Sequence, residues 1–254
     1  LYFGIKGQDQ IPFGKGWGFG TVNPQLYEQW PDDDIRKKAS IYYVDDPEEG
    51  TTGFIWNGEN NQQETGYWQK KYMPINVRNA EGNIVNYSCE MYGATTNFQE
   101  NNTQDLVVIR FADVLLMYAE CLNEIGAPES AANYLNQVRT RAGLANTTAA
   151  TQEEMDIAIE NERMLELCFE GHRWYDLVRR ERITKVMENH FAHRIQGLNP
   201  TLQSGNNGMT VNNASDVTGT PGIWKWTGSS AAILFGIPYD QIQLSGDWKQ
   251  NELY

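Results

Sequence analysis

Three glutamates, Glu162, Glu166 and Glu170, recur at one-turn spacing about two thirds of the way along this chain, and His172 follows them. Such a ladder suits two chemistries, a dinuclear metal site or a general acid/base pair. The metal reading needs a Glu-x-x-His partner, and the sequence has none. Arg163 and Arg173 stand close enough in sequence to pair with the ladder, so structural salt bridges are the better reading. His172 has no nucleophile beside it and reads as a hydrogen-bonded histidine at a helix junction, with Trp174 and Tyr175 as core. The acidic turns Asp32–Asp34 and Asp45–Glu49 lack the spacing and central glycine of a calcium loop. No Gly-x-Ser-x-Gly elbow, His-Glu-x-x-His or phosphate loop occurs. No catalytic residue, metal ligand or cofactor is therefore assigned.

Binding has firmer support. Sugar rings present apolar C–H faces that stack on aromatic planes, while their hydroxyls bond to amides and charged groups. Gly14, Gly16, Gly18 and Gly20 alternate with Lys15, Trp17 and Phe19, which predicts a flexible aromatic loop rather than a helix or a core strand. Trp56 and Asn57 place an indole beside an amide at a strand end. Tyr42-Tyr43 and Tyr67-Trp68 put adjacent rings on opposite faces of short strands, so one of each pair is free to face outward. Trp17, Phe19, Tyr43, Trp56 and Asn57 are the candidate ligand-binding residues. The competing reading is that these rings only cover a loop-rich domain.

The elements that must carry them fall into three stretches. Residues 1–105 are loop-rich, with short helical turns at Leu26–Trp30 and Asp34–Ser40 and strands at Ile41–Val44, Gly53–Trp56 and Gly66–Met73. Residues 106–195 form helical hairpins. The first helix carries Phe111, Val114, Leu115, Tyr118, Leu122 and Ile125 as its apolar stripe and stops at Gly126. The second starts on Pro128, buries Ala131, Leu135, Val138 and Ala142, and ends at Gly143. Thr151 and Glu154 form a capping box for the third, whose apolar set is Met155, Ala158, Ile159, Leu165 and Phe169 before Gly171. A fourth begins near Arg173. Residues 196–254 close the region with Gly, Asn, Ser and Thr and an apolar run at Ala232–Ile237. The fold class is mainly α: tetratricopeptide-like hairpins with an irregular region of few short strands, a single region over 1–254.

Composition narrows the partners. At 254 residues the chain can bury a substantial core, and its net charge of -13 is the reverse of what a phosphate-tracking groove needs. Nucleic acid is excluded as an expected partner, and neutral ligands fit best. The three cysteines have no framework or zinc spacing. Cys121 and Cys168 sit in apolar helical stretches and read as buried free thiols, while Cys89 lies in a loop.

The Arg-Phe-Ala-Asp word at 110–113, Asn-Glu-Arg at 161–163 and Glu-Gly-His-Arg-Trp-Tyr-Asp-Leu-Val-Arg at 170–179 resemble the SusD/RagB family of outer-membrane nutrient-binding proteins. Ile237-Pro238 with Ile242, Gln250-Asn251, and Tyr27 with Asp34-x-Arg36 resemble further family elements, although Glu252-Leu253 replaces the usual Pro-Gly. The resemblance implies a surface lipoprotein with a helical-repeat scaffold that serves as a lid on a TonB-dependent, SusC-like transporter and captures oligosaccharides. It also implies that these residues are the C-terminal portion of such a protein, whose only membrane tie is a lipid anchor outside this chain. Peptide capture by the same architecture, a protein-only helical adaptor, and a glycan hydrolase are the alternatives. The family's ligand contacts vary between members, so none is carried over.

Overall fold

The computed structural model describes residues 3–46, 54–55, 65–87, 105–192, 239–245 and 249. The described residues up to Arg173 form one compact unit, and those from Trp174 onward form a second.

The helical layer of the first unit follows from local signals. Helix α3 spans Phe111–Glu124, α4 Pro128–Arg141 and α5 Gln152–Glu166. Pro128 occupies the first turn of α4, where an amide hydrogen would have no partner. Gly126 and Gly143 turn out of α3 and α4 at φ +77° and +82°, a region only glycine enters freely. The Thr151–Glu154 capping box is formed, with each side chain bonded to the other residue's backbone N–H. The three helices bury Leu116, Ala119, Ala131, Leu135, Val138, Met155 and Ile159 in one cluster.

The inward face of α3 and the end of α5 both differ from the sequence expectation. In α3 the inward face is Leu116, Ala119 and Asn123, flanked by half-buried Leu115 and Leu122. Phe111, Val114, Tyr118 and Ile125 are exposed, and exposed Leu106, Val107, Val108 and Ile109 precede them. Both stripes have helical period; only the positions of α4 and α5 select between them. Asn123 is buried because its amide donates to the Gln152 carbonyl at 2.9 Å. Helix α5 stops at Glu166, well before Gly171, and Phe169 adopts φ 65°. A left-handed non-glycine residue costs roughly 1–2 kcal/mol, which the packing of the Phe169 ring against a buried cluster offsets.

Among the described residues the irregular part carries three two-stranded ladders. Strands β1 (Ile5–Lys6) and β2 (Lys15–Gly16) pair in parallel; β3 (Ile41–Tyr43) and β4 (Tyr67–Gln69), and β5 (Asn76–Arg78) and β6 (Ile84–Asn86), pair antiparallel. Helices α1 (Pro24–Gln29) and α2 (Ile35–Ser40) are capped by Asn23 and Asp34. The β3–β4 ladder is buried on both faces. Tyr42 and Trp68 join Ile5, Val44 and Met73 on one side, whereas Ile41 and Tyr67 join Val22, Trp30 and Cys168 on the other. The expected outward ring of each pair is thus absent: Tyr42, Tyr67 and Trp68 are buried and Tyr43 is half-buried.

The second unit contains α6 (Arg173–Arg179, all but its first residue), α7 (Ile183–Ala192) and α8 (Tyr239–Ser245). Tyr175, expected in the core, is exposed, while Leu177 and Ile183 take the buried positions. Among the described residues no helix is long and apolar enough to cross a membrane.

Candidate functional site

Trp17 and Phe19 stand on the segment that leaves β2, and each keeps over half of its surface in water, 54% and 55%. The segment is not the flexible loop expected from its glycines. Lys15 and Gly16 are paired to Ile5 and Lys6, and Phe19 is bridged to Phe3. A Cβ on Gly16 would fall 2.0 Å from the Phe3 carbonyl oxygen, so glycine here permits close backbone approach. Gly20 turns at φ +70° beneath the Phe3 ring, which itself lies 6.2 Å from the Tyr72 ring. Phe3 and Tyr72 are ring neighbours far apart in sequence that meet only in the folded chain.

Tyr43 occupies a different environment. Its ring stacks on Tyr67 at 4.9 Å with a 6° interplanar angle, and Tyr27 packs at 5.2 Å and 5.0 Å from the two. Lys37 Nζ stands 4.4 Å over the Tyr27 ring and donates to the Trp30 carbonyl and to Asp32. Burial raises the pKa of all three phenols. Trp56 and Asn57 lie outside the described residues.

A cavity of about 490 Å³ opens beside Tyr72 and is walled largely by charge, with Arg36, Lys71, Arg110, Arg141, Glu166 and Glu170 around it. Glu166 accepts from Arg36 at 2.9 Å and Arg110 at 2.5 Å, and also from Arg141. Glu170 accepts from Arg110 at 2.8 Å and Lys71 at 2.5 Å. Glu162 lies 2.6 Å from Arg36 and 3.1 Å from Arg139. The ladder thus takes partners from distant segments, while Arg163 pairs with Asp113 at 2.7 Å and Arg173 with Glu160 at 3.4 Å. On a helix that ends at Glu166 the spacing rule for Glu170 and Arg173 no longer applies, and residues distant in sequence take over.

Electrostatics decide what this cluster can do. Burial opposes ionisation of Glu166, but the bonds from Arg110 and Arg36 outweigh it and hold the carboxyl at about 2. Glu170 is likewise lowered, burial being outweighed by Arg110 and Lys71. An acid/base pair needs one carboxyl raised toward neutrality. Glu166 and Glu170 are both driven the other way, so neither offers a proton at neutral pH. The cluster reads as a scaffold lock, whereas Trp17 and Phe19 keep their rings exposed.

The SusD family model matches residues 15–254. "SusD-like protein P2" from Formosa agariphila is 32% identical over 186 residues, which cover 69% of this chain and 34% of that protein. Among solved structures, surface glycan-binding protein A from Bacteroides thetaiotaomicron superposes with TM-score 0.62 at 22% identity, over 99% of this chain and 45% of that one. The same protein in complex with laminarihexaose gives TM-score 0.60 at 23% identity, over 99% and 45% of the two chains. This chain thus spans about a third of that curated relative and less than half of these solved chains.

Proposed function

The chain belongs to the SusD family, and on that premise we propose that it captures oligosaccharide at the cell surface, without catalysis or cofactor, for import through a partner TonB-dependent transporter. The observation that carries the reading is the exposure of Trp17 and Phe19 on a backbone too tightly packed to fold them inward. Two stacking rings contribute about 1–3 kcal/mol together beyond area burial, and the apolar area they cover supplies the rest of the roughly 4–8 kcal/mol that millimolar to micromolar affinity requires. That range lets a capture protein pass its cargo on. The acidic balance of -13 favours neutral glycans over polyanionic ones. The parent protein would be a surface lipoprotein of the outer membrane, with the transporter as its protein partner.

Calorimetry of the chain against a panel of neutral oligosaccharides, laminarihexaose among them, and of peptides tests the reading. Binding to a glycan that weakens in Trp17→Ala supports it. Full affinity in that variant removes the ring segment from the site, and binding confined to peptides replaces the ligand class. Co-purification with a transporter and no small-ligand response would leave a protein-only adaptor.

A further inference from the structure

The backbone on either side of Trp17 is fixed by bonds from other segments. Asp9 Oδ1 accepts two hydrogens, from the Lys15 backbone N–H at 2.9 Å and from Asn76 Nδ2 at 2.6 Å. Asn76 is 5% exposed, and its own N–H donates to the Pro12 carbonyl at 2.6 Å. Gly14 N–H donates to the Pro74 carbonyl at 2.7 Å, and a Cβ on Gly14 would come within 2.7 Å of the Asn76 amide. Asn76 therefore lies flush against the backbone just before β2. On the far side of Trp17, Gly18 N–H donates to the Gly4 carbonyl at 3.1 Å, and Phe19 bridges to Phe3. The Trp17 backbone is held between two fixed points.

We propose that Asp9 and Asn76 are positioning residues: a carboxylate–amide clamp that sets the Trp17–Phe19 segment in its binding shape before ligand arrives. The inference rests on the capture reading and deepens it. An exposed ring on a wandering backbone must be ordered when a ligand docks, which costs about 0.5–1.5 kcal/mol for each side chain immobilised. A segment ordered in advance avoids that cost. The clamp is well suited to the task because an ionised carboxylate is an acceptor only, so both donors converge on one oxygen and tie β2 to the β5 segment. It acts at the backbone, and it leaves the ring faces open.

The test labels the chain with 5-fluorotryptophan and identifies the Trp17 resonance by its loss in Trp17→Phe. In Asp9→Ala the Trp17 resonance is expected to narrow and move toward that of free fluorotryptophan, and affinity for laminarihexaose to fall about three- to tenfold. Asp9→Asn keeps an oxygen acceptor at the same place and restores both readouts, and Asn76→Ala repeats the Asp9→Ala result if that variant does not fold. An unchanged Trp17 resonance in Asp9→Ala and Asn76→Ala overturns the clamp, as does a moved resonance with undiminished affinity. The resonance is read without ligand, so a panel in which no glycan binds the wild type overturns the capture reading while the clamp is still decided by the resonance alone.

Discussion

Arg36 Nη1 donates to Glu166 Oε2 at 2.9 Å across 130 residues of sequence, and neither side chain has more than a tenth of its surface in water. Asp34 caps α2 by accepting the Arg36 backbone N–H at 2.9 Å, and it also takes the Arg36 guanidinium at 2.7 Å and Trp30 Nε1 at 2.9 Å. The cap that starts a short helix thus aims the arginine that ties the irregular region to the end of α5. Burying charges is expensive, and such a lock is tolerable only because each carboxylate has guanidinium or ammonium partners.

Glu166→Ala leaves Arg36, Arg110 and Arg141 without their shared carboxylate. Removing one member of a buried ion pair costs about 3–5 kcal/mol. Thermal or urea unfolding is expected to show a loss of that order for the unit that carries α5. A shift below 1 kcal/mol would mean that the network is not a lock.

The same carboxylate sets the acid limit. Its folded pKa of about 2 lies below the ordinary 4.5, so its contribution is fully present above pH ~4.5 and is lost as pH falls toward 2. The shift corresponds to a contribution on the order of 3 kcal/mol. Urea midpoints measured from pH 6 to pH 2.5 should decline in the wild type and more shallowly in Glu166→Gln. Equal slopes would assign acid sensitivity to other groups.

The two faces of α3 separate cleanly by substitution. Leu116→Ala opens a void in the helical core and is expected to cost about 2–5 kcal/mol. Phe111→Ala, at a side chain 72% exposed, should stay within about 0.5 kcal/mol of wild type. Comparable losses in both variants would contradict an inward face made of Leu116, Ala119 and Asn123.

The ring clusters should divide between binding and stability. Trp17→Ala is expected to leave the melting transition in place and weaken glycan binding by about three- to tenfold. Tyr43→Ala removes a ring stacked on Tyr67 and should lower stability first, by about 2–4 kcal/mol. Tyr43→Phe keeps the stack and serves as the control.

The thiols offer a probe of packing. Cys121 is exposed on α3, against the expectation of a buried thiol, whereas Cys168 is buried and burial pushes its pKa up to about 11. Mass-mapped alkylation at pH 8 should modify Cys121 in the folded chain and Cys168 only after unfolding. Fast labelling of Cys168 in native buffer would show that its cluster opens.

Much of the helical region was legible because its signals are local. Pro128, Gly126, Gly143 and the Thr151–Glu154 box each act within a turn of themselves, and the α4 stripe of Ala131, Leu135, Val138 and Ala142 is a single period with one solution. The resemblance carried by residues 110–113, 161–163 and 170–179 was legible for the same reason, being contiguous words. In α3 the pattern allowed two inward faces, and nothing within the helix distinguishes them.

What the sequence by itself determined is the inventory: where helices start and stop, which rings and carboxylates exist, and the class of protein they resemble. The tertiary structure alone decided pairing and exposure. It turned a glycine-rich stretch into a strand packed against Phe3, buried both faces of Tyr42–Tyr43 and Tyr67–Trp68, and gave Glu166 to Arg36 and Arg110 rather than to its neighbours on the helix. The reason is physical. Backbone conformation and capping depend on residues a few positions apart, whereas burial and charge pairing depend on which distant segments share a volume, and that is settled only when the chain closes on itself.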